Sequence, residues 1–531
     1  MSNFYNKVSH GLVSELRAWW QDRLLSGIRL SPFTLLAATI VAVSWYLWLT
    51  KKSTRGMPPF PPGPPGLPLL GNLPFLQPDF HRYLAKLSQT YGPIVKLQLG
   101  CKICIVISSP SLAKIILKDH DTIFSNRHVP ASIIEISYGG IDVAWSPYSP
   151  QWRKMRRIFV HNLMSHSSID ACYELRLREV REMVKDIHEK VGLSIDLCEQ
   201  TFLTVLSLTT SMLWGGELHG EERRRVGVEI KEAVVEIFEL VGELNISDLF
   251  PVLARFDLQG IEKKMRKIRL WFDEIFESLV EKRMKIEESR EETKDFLQLL
   301  LEMQQQGDEK TSLSLDQIKA LLMDTIATAP HTTSAAVEWA MAEMLRHPKK
   351  MRRVREEIEE VVGKHNIVEE SHLPKLLYLD AVLKESLRLH SPVPLMGPRS
   401  PDRTCTVAGY TIPQGSKILF NTWAIQRDPE VWENPLEFEP ERFLNDPGKG
   451  DYHGNNFSLF PFGSGRRICA GIPLAEKMMR YVVATLVHSF EWELPEGVDH
   501  DLSDKFGFVL KKSNPLVAIP TVRLPTAIQY L

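Results

Sequence analysis

The stretch from Ser314 to Arg346 restricts the fold more than any other feature of the chain. It reads as one helix of about 33 residues, roughly 50 Å at 1.5 Å per residue, enough to cross a whole large domain. Ser-Leu-Asp-Gln at 314–317 matches a capping box, with Gln317 at the third position. His347-Pro348 ends the run, because a residue before proline is pushed out of the α region. Ile261, Met265, Ile268, Phe272, Ile275 and Leu279 recur at three- and four-residue spacing, the stripe of a second, amphipathic helix. That stripe is too short to require a coiled coil. Short β-branched runs at 95–99, 103–107 and 417–420 read as strands. The expected class is mainly α with a minor β-sheet region.

From residue 67 to 531 there is no second low-complexity linker and no repeat, which predicts one large domain. With 44% apolar and 24% charged residues, the chain can bury a core and is not disordered. A formal net charge of -2 supplies no global basic field, so no nucleic acid is expected as a partner. Six scattered cysteines in 531 residues do not make a disulfide framework. Cys101 and Cys104 form a lone CxxC in a run that reads as a strand. Without a second CxxC they read as two small strand residues rather than a zinc or redox site.

Residues 33–49 carry no charge and are rich in Leu, Ala, Val and Trp, the short end of a membrane-spanning helix. Lys51, Lys52 and Arg55 follow, and Trp45, Tyr46 and Trp48 form an interfacial belt near them, so the rest of the chain is expected in the cytosol. A cleaved signal peptide is the competing reading. The run begins late for one, is long for one, and lacks a small-x-small cleavage site. The expected organisation is an N-terminal extension at 1–32, a transmembrane anchor helix at 33–50, a basic and Pro-rich hinge at 51–66, and a catalytic domain at 67–531. In the hinge, Pro58-Pro59-Phe60-Pro61-Pro62-Gly63-Pro64-Pro65-Gly66 reads as a stiff extended spacer, since proline fixes φ and removes donors.

Residues 462–471, Phe-Gly-Ser-Gly-Arg-Arg-Ile-Cys-Ala-Gly, fit F-x-x-G-x-R-x-C-x-G at every fixed position. Glycines let the backbone turn close to a flat macrocycle. Backbone N–H groups and the start of the following helix stabilise a thiolate at Cys469. Arg467 is spaced to reach a haem carboxylate, for which a planar guanidinium is apt. Three further patterns occur in order: Trp152 and Arg156 as W-x-x-x-R, Glu385 and Arg388 as E-x-x-R on one helix face, and Arg442 in Pro-Glu-Arg-Phe.

On these motifs the chain resembles the plant-type cytochrome P-450 family over nearly everything after the anchor. Residues 165–173, 212–216 and 250–257 are similar to plant sesquiterpene hydroxylases of the cadinene-8-hydroxylase kind. The resemblance implies a haem-thiolate monooxygenase with Cys469 as the axial ligand of the haem iron. It implies Trp152, Arg156, Arg399, Phe462 and Arg467 as further cofactor-binding residues, and Glu385, Arg388 and Arg442 as a buried structural network. The reaction implied inserts one oxygen atom of O2 into a lipophilic metabolite, expected to be a sesquiterpenoid or other terpenoid. Electrons come from NADPH through a flavoprotein, NADPH-cytochrome reductase. The expected location is the endoplasmic reticulum membrane, single-pass, as a monomer. The segments 133–138, 327–332, 393–396 and 506–508 are expected over the open haem face, with Ile134, Ala329, Met396, Phe506 and Phe508 lining the substrate pocket.

The long helix departs from the family's oxygen-activation motif, (A/G)-G-x-(D/E)-T. Here the sequence is Thr328-Ala329-Pro330-His331-Thr332. Thr332 matches. Ala329 replaces the groove glycine, His331 replaces the acid, and Pro330 removes one helical hydrogen bond. Imidazole relays protons near neutral pH, so His331 and Thr332 are the expected catalytic pair. The alternatives are a non-oxygenating enzyme of the same fold, catalysing rearrangement, dehydration or cyclisation, and a silent haem protein that scaffolds partners.

Overall fold

A computed structural model describes residues 32–51, 57–215, 220–286, 295–306 and 312–523. Of the expected extension at 1–32, residues 1–31 lie outside them. The principal helices are α1 (Pro32–Lys51), α2 (Pro150–Asn162), α3 (Leu197–Trp214), α4 (Gly220–Gly242), α5 (Ile261–Ile286), α6 (Leu315–Arg346), α7 (Leu377–Leu389) and α8 (Ile472–Ser489). The largest sheet contains β1 (Ile94–Leu99), β2 (Lys102–Ile107), β3 (Asn126–Arg127), β4 (Arg399–Ser400) and β5 (Lys417–Phe420), in the order β1-β2-β5-β4-β3. Only the β2–β5 pair is parallel. The fold is mainly helical with small sheets.

Helix α6 is the axis of the molecule. The expected capping box forms: Gln317 donates its N–H to the Ser314 hydroxyl at 3.2 Å, and Ser314 N–H donates to Oε1 of Gln317 at 3.0 Å. From Ile318 to Leu345 almost every side chain is buried, charged ones such as Lys319, Glu338 and Glu343 included, so the helix is buried all round rather than striped. Helices α3 and α8 pack against it. Of the stripe on α5, Ile261, Met265, Ile268, Phe272 and Leu279 are buried and Ile275 is partly buried, while Phe276, outside the stripe, is fully buried and stacks on Phe272 at 5.7 Å. Burying one such side chain contributes on the order of 2–3 kcal/mol.

Strands β1 and β2 turn back on each other at Gly100, whose φ of +56° and closeness to the Leu249 carbonyl leave no room for a side chain. Cys101 is exposed in that turn while Cys104 is buried in the sheet, so the CxxC does not act as a pair. The Pro-rich segment is held against the sheets rather than standing free. The carbonyl of Pro62 accepts from Lys96 N–H at 2.8 Å, and those of Pro58 and Pro59 accept from the hydroxyl and N–H of Thr411. In α1 the apolar side chains of Leu35, Leu36, Ile40, Val41, Val43 and Trp45 are all exposed. Among the described residues, no helix is long and apolar enough to cross a membrane.

Candidate active site

The loop before α8 is shaped around one sulfur. Gly463 and Gly465 adopt φ of +79° and +68°, and a Cβ on Gly465 would sit 2.7 Å from the Leu117 carbonyl. Cys469 N–H donates to the Phe462 carbonyl at 2.9 Å, which closes the loop. Burial raises the thiol pKa, while N–H groups of Gly471 and Ile472 at the start of α8, and the Arg156 charge, lower it. Cys469 is deep in the protein yet accessible, because the space it faces is a cavity and not bulk solvent.

Four guanidinium groups stand beside that cavity: Arg127 on β3, Arg156 on α2, Arg399 on β4 and Arg467 in the loop. Each hydrogen-bonds to backbone carbonyls. Arg127 reaches Ala144 and Gly397, Arg156 reaches Ile468 at 2.6 Å, Arg399 reaches Phe124 and Ser464, and Arg467 reaches Ser125, Val143 and Ser146. Among the described residues none forms an ion pair with a carboxylate. Burial first, and then mutual repulsion, hold Arg467 down to about 9 and Arg399 well below the usual arginine range. Burial lowers Arg127 to about 10. Asp142 offsets part of the charge on Arg127 and Arg467, and the excess that remains calls for an anion. Trp152 does not line the cavity. Its indole N–H donates to the Val143 carbonyl at 2.9 Å, and its ring lies under Arg467 at 4.1 Å and Arg156 at 5.6 Å.

The cavity holds about 330 Å³ and is lined mostly by apolar side chains, among them Ile133, Ile136, Val205, Ile237, Phe238 and Met323. Ala329, Thr332, Met396, Phe462 and Phe508 also line it. Met396 takes a φ of +55°, uncommon for a side-chain-bearing residue, and Phe508 stacks on Phe238 at 5.7 Å. Two expected pocket residues lie elsewhere. Ile134 is 48% exposed, because on its short helix (Ala131–Ile136) the neighbours Ile133 and Ile136 take the inward face. Phe506 packs on Phe80 and His81, because the chain bends at 507–509 and so turns Phe508 another way, onto Phe238.

The altered motif keeps its helix: α6 runs unbroken through Pro330. The Thr332 hydroxyl donates to the Thr328 carbonyl at 2.9 Å, and that of Thr328 to the Asp324 carbonyl at 2.6 Å. His331 points away from the cavity. Its ring stacks on Phe238 at 4.8 Å, meets Phe202 edge-on, and leaves Nε2 buried without a partner. Burial, with a smaller push from Lys511, lowers its pKa to about 3, so the imidazole is neutral at physiological pH. Sequence reasoning missed Arg127, Asp142 and Asp324, all of which line the cavity. The available signal for Asp324 was a lone charge inside the apolar run Leu321-Leu322-Met323-Asp324-Thr325-Ile326.

Behind the loop, Arg388 grips Glu385 with two bonds, Nε to Oε2 at 2.7 Å and a terminal amine to Oε1 at 2.8 Å. Arg442 Nε adds a third at 3.0 Å. Glu385 and Arg388 are fully buried, and the remaining Arg388 donors reach the carbonyls of Gln426, Pro435 and Glu437. This satisfied network fixes α7 to the segment that leads into the cysteine loop.

A recessed thiol at one end of the cavity and a ring of incompletely neutralised cations beside it fit a flat cofactor that carries a metal at its centre and carboxylates on its edge. That is the site of a haem-thiolate protein, in which Cys469 would hold the iron and Arg156, Arg399 and Arg467, with Arg127, would hold the propionates. The chain belongs to the cytochrome P450 family, whose model matches residues 61–519. It is 36% identical over 503 residues to a flavonoid 3',5'-hydroxylase of Solanum melongena, covering 93% of this chain and 97% of that protein. It is also 36% identical over 495 residues to geraniol 8-hydroxylase of Catharanthus roseus, covering 92% and 98%. Ferruginol synthase of Salvia fruticosa matches at 36% over 502 residues, covering 92% and 99%. Among solved structures, a zebra fish cytochrome P450 with progesterone aligns with a TM-score of 0.72 at 25% identity, over 83% of this chain and 99% of that one. The cofactor is haem, and the protein is a monooxygenase of plant type.

Proposed function

We propose that this monooxygenase hydroxylates a terpenoid, taking electrons from NADPH through NADPH-cytochrome P450 reductase. It would act as a monomer on the endoplasmic reticulum membrane, held by the uncharged run at 33–50. The apolar cavity above Cys469 carries the substrate reading: a wall of Ile133, Ile136, Val205, Ile237 and Phe238 suits a hydrocarbon skeleton with few polar groups. The relatives that oxidise geraniol and make ferruginol support it, whereas the flavonoid hydroxylases support a flatter, more polar ligand.

Haem bound through Cys469 supplies the activation of dioxygen. The chain's own part is to hold, orient and keep dry. The N–H groups of Gly471 and Ile472 stabilise the sulfur anion, and the arginine ring neutralises the cofactor's carboxylates. Phe238, Phe508 and Met396 exclude water and set which carbon faces the reacting atom. Thr332 offers a hydroxyl to hold a proton-delivering water. The buried, neutral, outward-turned His331 supports a packing role for that residue and counts against a relay through it.

The test uses membranes carrying the full chain and the reductase, incubated with acyclic monoterpene alcohols, sesquiterpenes and flavonoids under labelled dioxygen, with and without NADPH. One labelled oxygen per product, only with NADPH and only from a terpenoid, is the expected result. Turnover of flavonoids alone would overturn the substrate class, and unlabelled product formed without NADPH would establish the non-oxygenating alternative.

A further inference from the structure

Two carboxyl groups share one wall of the cavity. Asp142 lies in the turn after the helix Ala131–Ile136, and Asp324 lies on α6. The backbone holds them side by side, since the N–H that Asp324 accepts belongs to Val143, the residue after Asp142. Both are pinned by backbone donors. Asp324 Oδ2 accepts from Val143 N–H at 2.7 Å, and Asp142 Oδ1 accepts from the N–H groups of Trp145 at 3.1 Å and Ser146 at 2.8 Å. These bonds hold both carboxyl groups at the cavity wall. Asp142 is only 3% exposed. Burial first, and then the Asp142 charge, push the Asp324 carboxyl well above the usual carboxylate range, so of the two Asp324 holds a proton the more readily. The cations facing the pair are Arg127 and Arg467, both on the Asp142 side, which places the negative charge on Asp142 and the proton on Asp324.

Asp324, Thr328 and Thr332 stand at i, i+4 and i+8 on one face of α6, and all three line the cavity. Each step is about 6 Å along the helix, a gap that one water bridges. Both threonine hydroxyls give their protons to carbonyls four residues back, so their oxygen lone pairs are free to accept from cavity water. His331 lies on another face, stacked on Phe238.

We propose that the Asp142–Asp324 pair is the proton source for oxygenation, feeding Thr328 and Thr332 through cavity water in place of an acid at position 331. This rests on the NADPH-driven reading above, in which substrate R–H, O2, NADPH and one proton give R–OH, water and NADP+. Asp324 hands its proton to water at Thr328 and is reloaded from solvent, so the pair is unchanged over a turnover. Where delivery at Thr332 fails, O2, NADPH and a proton give hydrogen peroxide and NADP+ instead.

The experiment compares the haem-loaded full chain with Asp324→Asn, which keeps an oxygen for Val143 N–H, and with Asp142→Asn, which removes the neighbouring charge that, after burial, raises Asp324. Variant-minus-wild-type infrared difference spectra of the resting proteins at pH 7, in which Glu338 cancels, should show loss of a protonated carboxyl band in Asp324→Asn and a weakened band in Asp142→Asn. Product formed per NADPH should fall at least about tenfold in Asp324→Asn, with peroxide rising to match. Asp142→Asn carries both measurements should Asp324→Asn take up haem poorly. Absence of that loss from the Asp324→Asn difference spectrum, or coupling within about twofold of wild type in a haem-loaded variant, overturns the relay. A wild type that shows the band but no NADPH-dependent oxygen incorporation overturns the monooxygenase reading and the relay with it, an outcome distinct from loss of the relay alone.

Discussion

At His331 the ring lies 4.8 Å from that of Phe238, and burial depresses its pKa from 6.5 to about 3. The unfolded chain takes up this proton below about pH 6.5 while the folded protein does not. Stability from this site is therefore fully present above that pH and lost as pH falls toward 3. At pH 5 the loss is about 2 kcal/mol. His331→Phe keeps a stacking ring and removes the proton site, so its melting temperature should exceed that of the wild type by more at pH 5 than at pH 7.5. An unchanged difference would mean that the ring ionises in place. Glu338 acts in the opposite sense: burial raises it to about 7, so its contribution falls as pH rises from about 4.5 to 7. The paired comparison therefore isolates His331 where a single stability curve does not. The other residue-scale consequence belongs to Glu385. Glu385→Leu leaves Arg388 buried with its bidentate acceptor gone, at a cost of about 3–5 kcal/mol. Denaturant midpoints and haem-loaded yield should both drop, and Glu385→Gln should lose less. Motif residues of this kind were legible because their order along the chain is specific. Arg127 was not, since a lone Asn-Arg pair carries no periodic or motif signal. The inward or outward turn of Ile134, Phe506 and His331 was not legible either, because it depends on which face neighbouring elements cover.

Helix α6 shows what local sequence does specify. Its capping box, length and stop at His347-Pro348 were all readable, because caps and breakers act within four residues of themselves. Its environment was less so: no stripe marks a helix buried all round, and Asp324 gained meaning only when a turn 180 residues earlier in the chain brought Asp142 beside it. The one local conflict is Pro330, which has no N–H for the Ile326 carbonyl and still sits in an unbroken helix. Pro330→Ala restores that hydrogen bond and relieves the ring contact, together worth up to about 3 kcal/mol. The looser unfolded chain offsets about 0.4–1 kcal/mol of it. A rise in denaturation midpoint of the haem-loaded enzyme is expected. No rise would show that the helix already accommodates the ring without strain.

At the scale of the whole molecule, the chain divides where packing stops, and that point lies earlier than the composition shift at residue 67. The helix at 32–51 presents its described apolar side chains outward, with Val41 and Trp45 more than 60% exposed, so the core gains nothing from it. The segment after it belongs with the domain. Pro58, Pro59 and Pro62 supply carbonyls to Thr411 and Lys96, and Gly63 lies so close to the Lys96 carbonyl that a Cβ there would clash with it. Two truncations follow. A chain starting at Met57 keeps every one of these bonds and should load haem, give the carbon monoxide-bound Soret band of a thiolate-ligated haem, and melt within a few degrees of the full-length protein. It should leave membranes at high salt or mild detergent, since it lacks the uncharged run at 33–50 but keeps exposed apolar groups such as Leu69, Val252 and Phe256. A chain starting at Leu67 loses the Pro62–Lys96 and Pro58–Thr411 bonds and uncovers the edge of β1, each lost hydrogen bond costing about 1 kcal/mol. It should melt lower and aggregate sooner. Equal stability of the two truncations would make the Pro-rich segment a free spacer after all, and failure of the Met57 chain to take up haem would tie the first helix to folding.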